Sequence, residues 1–252
     1  MSEFSFSPTS DTPLVQPLYT PIKRRSFFLY AGATAGATAL VLAGCSKEAV
    51  TPTVNLPAGN STNVDGSISL GSGDVGVLNY AYALEQLEAD FYSKVVAQSQ
   101  GVLSATEYAY FQQVAKHEAI HRDFLKAALT RDASTQVLRG LMPKYPGTTF
   151  SDRSTLLATA QAFEDLGVAA YNGAGKLIRT PEYLLLAGKI VSVEARHAAY
   201  IRDLVSPGSF ADIDQVDATS GLDKSMKPAE VLAMAQAFIT EKLDGSTVGV
   251  NA

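Results

Sequence analysis

The sequence predicts an all-α fold: a four-helix bundle with an additional C-terminal helix. Three observations carry that prediction. Apolar residues recur at helical spacing in five segments within residues 74–243. Capping and breaking residues separate those segments. No run shows a convincing strand alternation. The chain has 252 residues, 46% of them apolar, enough to bury a core.

Helix one opens at Asp74 or a neighbour, and Leu78, Ala81, Leu84, Leu87, Phe91 and Val95 form its stripe up to Gly101. Ser104 followed by Glu107 reads as a capping box for helix two. That helix carries Phe111, Val114, Leu125 and Ala128 and runs to about Leu129. A long connection over 130–150 contains Pro143, Pro146 and Gly147. Helix three starts near Ser151 to Ser154, carries Leu157, Ala160, Phe163 and Leu166, and is loosened by Gly173 and Gly175. Thr180-Pro181 places a cap before a proline at the first helical position of helix four. That helix reaches about Val205 and stops at Ser206-Pro207-Gly208. Lys227-Pro228 opens the fifth helix, expected through Leu243, with Val231, Ala235, Phe238 and Ile239 on one face.

Composition narrows the function classes. The formal net charge is −5, so the basic footprint of a nucleic-acid binder is absent. Cys45 is the single cysteine, which excludes an internal disulfide, a Cys-x-x-Cys pair, a zinc ribbon and a rubredoxin-type iron site. There are 3 histidines, so a metal site here must be rich in carboxylates.

The first 44 residues read as an export signal. Lys23-Arg24-Arg25 precedes a weakly apolar run rich in Ala, Gly and Thr, the layout of a cleaved leader. The paired arginines resemble a twin-arginine signal, and Leu42-Ala43-Gly44-Cys45 resembles a bacterial lipobox. Cleavage before Cys45 and acylation of its thiol would anchor the protein to a membrane of the bacterial envelope. The alternative is a retained span over Phe27–Ala43, which is short for about 30 Å of hydrocarbon. Residues 45–73 then read as a flexible tether, 74–243 as the bundle and 244–252 as a C-terminal tail.

The chemistry sits on the apolar stripes. Helix two carries Glu118-Ala-Ile-His121 and helix four carries Glu194-Ala-Arg-His197. Residues three apart share a helix face, so each pair can offer an oxygen and a nitrogen to one ion. Helix one supplies Glu85, with Tyr92 two turns on, and helix three supplies Glu164, with Tyr171 two turns on. The pattern is therefore repeated: a Glu helix, a Glu-x-x-His helix, and the same again. Four carboxylates and two imidazoles form a ligand set for two iron or manganese ions inside a bundle. Glu88 is a competing first-helix ligand, but Glu85 has the tyrosine spacing that matches Glu164. His117 reads as an exposed or interhelical histidine. Tyr92 and Tyr171 offer hydroxyls that could hydrogen-bond ligands or serve as redox-active phenols, and core aromatic packing with a satisfied hydroxyl is the favoured reading. Lys116, Arg122, Arg196 and Arg202 read as solvated helix faces.

These stretches resemble the ferritin-like superfamily, and within it the desiccation-related or ferritin-like domain proteins. The resemblance rests on Leu84-Glu85-Gln86-Leu87-Glu88, His117-Glu118-Ala119-Ile120-His121, Ala162-Phe163-Glu164-Asp165-Leu166 and Val193-Glu194-Ala195-Arg196-His197. It implies Glu85 and Glu164 as terminal ligands, Glu118 and Glu194 as bridging carboxylates, and His121 and His197 as terminal imidazoles. It implies oxygen or peroxide chemistry, such as ferrous oxidation, or a dimanganese catalase-like activity. The contrasting class is a non-catalytic surface lipoprotein in stress tolerance. A large exposed apolar groove favours that class, and a buried, liganded pocket favours the enzyme. A homo-oligomer stays open, whereas a hollow storage shell does not suit a tethered chain.

Substituting Cys45→Ala is expected to leave the precursor uncut and unlipidated. Phase partition and mass analysis of the membrane fraction check this, and an unchanged lipid adduct would count against the assignment.

Overall fold

The computed structural model describes residues 62–250. The expected export signal, Cys45 and the first part of the expected tether lie outside the described residues. Five α-helices follow in order: α1 (Gly73–Gln98), α2 (Ala105–Asp132), α3 (Arg153–Gly175), α4 (Pro181–Val205) and the short α5 (Pro228–Ala235). Helix α1 packs along α2, and α3 along α4, so two helix pairs face each other with one long connection between them.

Local chemistry sets the helix ends. The Ser104 hydroxyl accepts from the Glu107 amide, and the Glu107 carboxylate accepts from the Ser104 amide, the expected reciprocal box. The Asp152 carboxylate caps α3 by accepting from the Thr155 amide. At α4 the expected Thr180 side-chain cap is absent. The Asp74 carboxylate takes that role, accepting from the amides of Arg179 and Thr180 at 2.8 Å each. An acid at the start of α1 thus fixes the start of α4.

Helix α1 is the central element. Every residue from Gly76 to Ala89 is buried, because the other helices cover one side and the α2–α3 connection covers the other. Two buried amides hold that connection. The Asn79 side chain donates to the Gln136 and Leu70 carbonyls and accepts from the Leu138 amide. The Gln86 side chain accepts from the Leu141 amide. Buried amides need such partners, and here all but the Leu70 carbonyl are backbone groups of the loop itself.

The structure corrects several sequence expectations. Residues 62–72 of the expected tether are packed: Ile68 and Leu70 are buried, and β1 (Ile68–Ser69) pairs in parallel with β2 (Leu243–Asp244). The expected tail after 243 also returns to the bundle, with Val248 buried and the Gly73 amide donating to the Val250 carbonyl. Two-residue strands are too short to give an alternation signal. The fifth helix ends at Ala235, and a 3-10 turn covers Gln236–Phe238. There the Gln236 side chain binds the Ile239 and Glu241 carbonyls and the Leu243 amide, turning the chain out of the helix. Arg202 is not solvated. It is buried between Asp165 and Asp214, at 2.6 and 2.5 Å.

Gly173 does not loosen α3. A β-carbon there would stand 1.6 Å from the Met226 carbonyl oxygen, so glycine lets the segment before α5 lie on the helix. Alanine is the better helix former by about 1 kcal/mol, yet Gly173→Ala is expected to destabilise the fold by more than that gain, because backbone must move. Chemical denaturation checks the sign. Ile68→Ala is expected to cost about 2–5 kcal/mol, which a free tether residue would not.

Candidate metal centre

Six side chains from four helices meet inside the bundle: Glu85 of α1, Glu118 and His121 of α2, Glu164 of α3, Glu194 and His197 of α4. All are buried, and the four carboxylates have no residual exposure (0%). They fall into two overlapping groups whose ligating atoms lie within 4.8 Å of one another. One is Glu85, Glu118, His121 and Glu194; the other is Glu118, Glu164, Glu194 and His197. Glu118 and Glu194 belong to both.

The two shared carboxylates divide their oxygens between the imidazoles. His121 Nδ1 is 3.3 Å from Glu118 Oε2 and 2.7 Å from Glu194 Oε1. His197 Nδ1 is 2.9 Å from Glu118 Oε1 and 3.9 Å from Glu194 Oε2. Glu85 Oε2 stands 3.6 Å from His121 Nδ1, and Glu164 Oε2 stands 3.5 Å from His197 Nδ1. Each half thus has one carboxylate of its own and two shared ones.

The outer oxygens of Glu85 and Glu164 are held by tyrosines from across the bundle. The Tyr171 hydroxyl donates to Glu85 Oε1 at 2.5 Å, and the Tyr92 hydroxyl donates to Glu164 Oε1 at 2.6 Å. The seven-residue spacing within each helix therefore serves the opposite helix. Sequence reasoning saw the spacing but not the exchange, which only the pairing of α1 with α3 reveals. His117 is interhelical: its Nδ1 lies 2.9 Å from His197 Nε2, with the two rings stacked. Glu88 is buried but lies outside both groups, its Oε1 3.0 Å from where a β-carbon on Gly167 would stand.

Whether this cluster suits metal ions follows from its unmet bonding capacity. Among the described residues, the buried polar atoms without a hydrogen-bond partner include Glu85 Oε2, Glu118 Oε1, Glu164 Oε2, both Glu194 oxygens and His197 Nδ1. Apart from the Tyr80 hydroxyl and Asp165 Oδ1, all belong to the six residues. Oxygen and nitrogen approach within 3 Å without hydrogen-bond alignment, as groups do when aimed at a common point between them. A carboxylate desolvated in this way is costly unless a cation or proton joins it. Carboxylate and imidazole suit iron and manganese. The residues present fit a two-ion site.

Without ions, protons must do the compensating. Burial would raise Glu118, but its contacts with His121 and His197 outweigh that and hold it at about 2. Burial lifts Glu164 to about 8, against the pull of His197. Burial, then repulsion from Glu194 and Glu118, pushes Glu85 well above the carboxylate range despite its tyrosine. Glu194 is raised by burial and by Glu118. Burial disfavours both imidazolium ions, yet the surrounding carboxylates lift His121 to about 9 and His197 to about 11. Burial, then repulsion from Glu194 and Glu164, pushes Glu88 well above the carboxylate range as well.

Apolar walls close the centre at both ends. Phe91, Phe163 and Phe238 stack edge to face below Tyr92. On the other side lies a pocket of about 30 Å³ lined by Ala81, Leu84, Leu125, Tyr171 and Ile190. That is room for about two water-sized molecules. Leu84 adjoins Glu85, and Leu125 and Ile190 are each one turn from His121 and Glu194, so the pocket abuts the ligands.

A family model described as a ferritin-like domain matches residues 73–207, α1 to α4 with all six residues. No curated protein matches the chain.

Metal loading is expected to displace the protons of His121, His197 and Glu164, all bound at pH 7 because their values lie above it. About three protons or more should leave per chain. Affinity should therefore rise with pH and fall as acid refills these groups. Indicator-dye titration with Mn²⁺ in weak buffer checks the count.

Proposed function

The chain belongs to the ferritin-like domain family, and from that premise we propose a membrane-anchored envelope lipoprotein with a carboxylate-bridged dimetal centre that oxidises ferrous iron and removes peroxide or oxygen. The observation that carries the reading is the convergence of buried, unpartnered carboxylate oxygens and an imidazole nitrogen on two overlapping points. In this reading Glu118 and Glu194 bridge, Glu85 and His121 complete one ion's ligands, and Glu164 and His197 complete the other's. Iron and manganese both suit these donors.

Two such ions, when bound, supply one electron each, enough with two protons to convert hydrogen peroxide into two waters. The chain's own residues prepare that chemistry. Tyr92 and Tyr171 fix one oxygen of Glu164 and Glu85, leaving the second oxygen of each for an ion. The aromatic stack keeps bulk water from one end, and the small apolar pocket admits only a small, uncharged reactant from the other. Burial of the ligands favours the enzyme over a purely structural bundle, whose function would need an exposed surface. Among the described residues no helix is long and apolar enough to cross a membrane, and in this proposal the anchor is the lipid on Cys45.

Reconstituted wild type is expected to hold two ions per chain and to accelerate ferrous oxidation. Glu118→Ala and Glu194→Ala should each abolish the two-ion stoichiometry and slow oxidation at least about tenfold. Metal analysis and oxygen-electrode rates check both. Two bound ions with no consumption of oxygen or peroxide would leave the fold assignment standing and replace the enzyme with a non-catalytic lipoprotein.

A further inference from the structure

The two halves of the centre are related by an internal repeat, and the departures from that repeat are informative. The shift along the chain that carries Glu85 onto Glu164 and Tyr92 onto Tyr171 carries Glu88 onto Gly167. The shift that carries Glu118 onto Glu194 and His121 onto His197 carries His117 onto Val193. A carboxylate and an imidazole in the first half therefore have no counterpart in the second.

Both act across the bundle on the same side of the centre. Glu88 leaves α1 and fills the space that a side chain on Gly167 of α3 would need, with its Oε1 at 3.0 Å from that β-carbon position. Gly167 is one turn from Glu164. Glu88 is 3% exposed, and burial pushes its carboxyl well above the usual carboxylate range. His117 reaches from α2 to α4, where its Nδ1 meets His197 Nε2 at 2.9 Å. With His197 Nδ1 turned toward Glu118 and Glu164, the His117 contact fixes the ring and its tautomer from behind. The His121 ring has no such partner on its Nε2 among the described residues.

We propose that the two metal positions are unequal, and that the one built from Glu164 and His197 binds first and more tightly, because His117 positions its imidazole. The inference rests on the two-ion reading. His117 is a positioning residue here. It changes how firmly an ion is held without changing how many ions fit. Outer partners of a metal ligand typically contribute 10–100-fold in affinity, so the two sites should differ by at least about tenfold.

The test is a titration of the full chain with Mn²⁺, with free ion counted by its electron paramagnetic resonance signal. Wild type is expected to show two classes of site separated by about tenfold or more. His197→Ala should remove the tight class, and His121→Ala the weak one. His117→Leu and His117→Ala should each keep two ions and narrow the gap. The melting temperature of each metal-free variant reports folding separately, and if His117→Leu does not fold, His117→Ala decides. Two equal classes in wild type would overturn the inference while sparing the dimetal centre. So would a gap that neither substitution narrows, or loss of the tight class in His121→Ala. Fewer than two ions in wild type would overturn both.

Discussion

Four carboxylates without solvent exposure converge in the middle of an apolar bundle, and their need for positive charge governs the rest of the structure. Left anionic together, they would repel one another in a medium that screens poorly. The two imidazoles answer part of that need, since each is held protonated by its carboxylate neighbours. The remainder falls to protons on Glu85 and Glu164. A proton satisfies one oxygen at a time, whereas a divalent ion satisfies several at once. The geometry favours the latter: Glu118 and Glu194 each turn one oxygen toward each imidazole.

That constraint explains why so much of the chain is spent on α1. Its Glu85 must sit beside α2 and α4 while its Tyr92 reaches Glu164 on α3. Such an element has to be covered on all sides. The α2–α3 connection supplies the cover, anchored by Asn79 and Gln86, and the short parallel pairing of 68–69 with 243–244 adds to it. The aromatic stack around Phe91 and Phe163 then keeps the tyrosine end rigid.

The fold and the six converging residues were legible because they are periodic. Helix spacing marks the stripes, and two Glu-x-x-His pairs on alternate helices reveal the six residues. What escaped the sequence lacked a period. Arg202 reads as surface because its acidic partners, Asp165 and Asp214, come from another helix and a loop. Gly173 reads as a loosened end because the approach of Met226 is tertiary. Residues 62–72 read as tether because Val64, Ile68 and Leu70 are isolated apolar residues among polar ones, and the burial of Ile68 and Leu70 depends on the returning C-terminal segment. The exchange of tyrosines between α1 and α3 is likewise invisible until the helices are paired.

The internal repeat gives each half a similar set of parts, yet neither half is self-sufficient. The α1–α2 pair brings Glu85, Glu118 and His121 to one group, and its fourth member, Glu194, comes from α4. The α3–α4 pair brings Glu164, Glu194 and His197 to the other, and its fourth member, Glu118, comes from α2. The tyrosine bonds cross in the same way. The centre is thus the interface between two helix pairs, and its ligand groups are complete only when the pairs have docked. An ion bound there stabilises that docked state over any state with the pairs apart, by mass action. Metal binding is therefore coupled to assembly of the bundle. The apolar core holds the helices together, and cations at the centre would add to that stability.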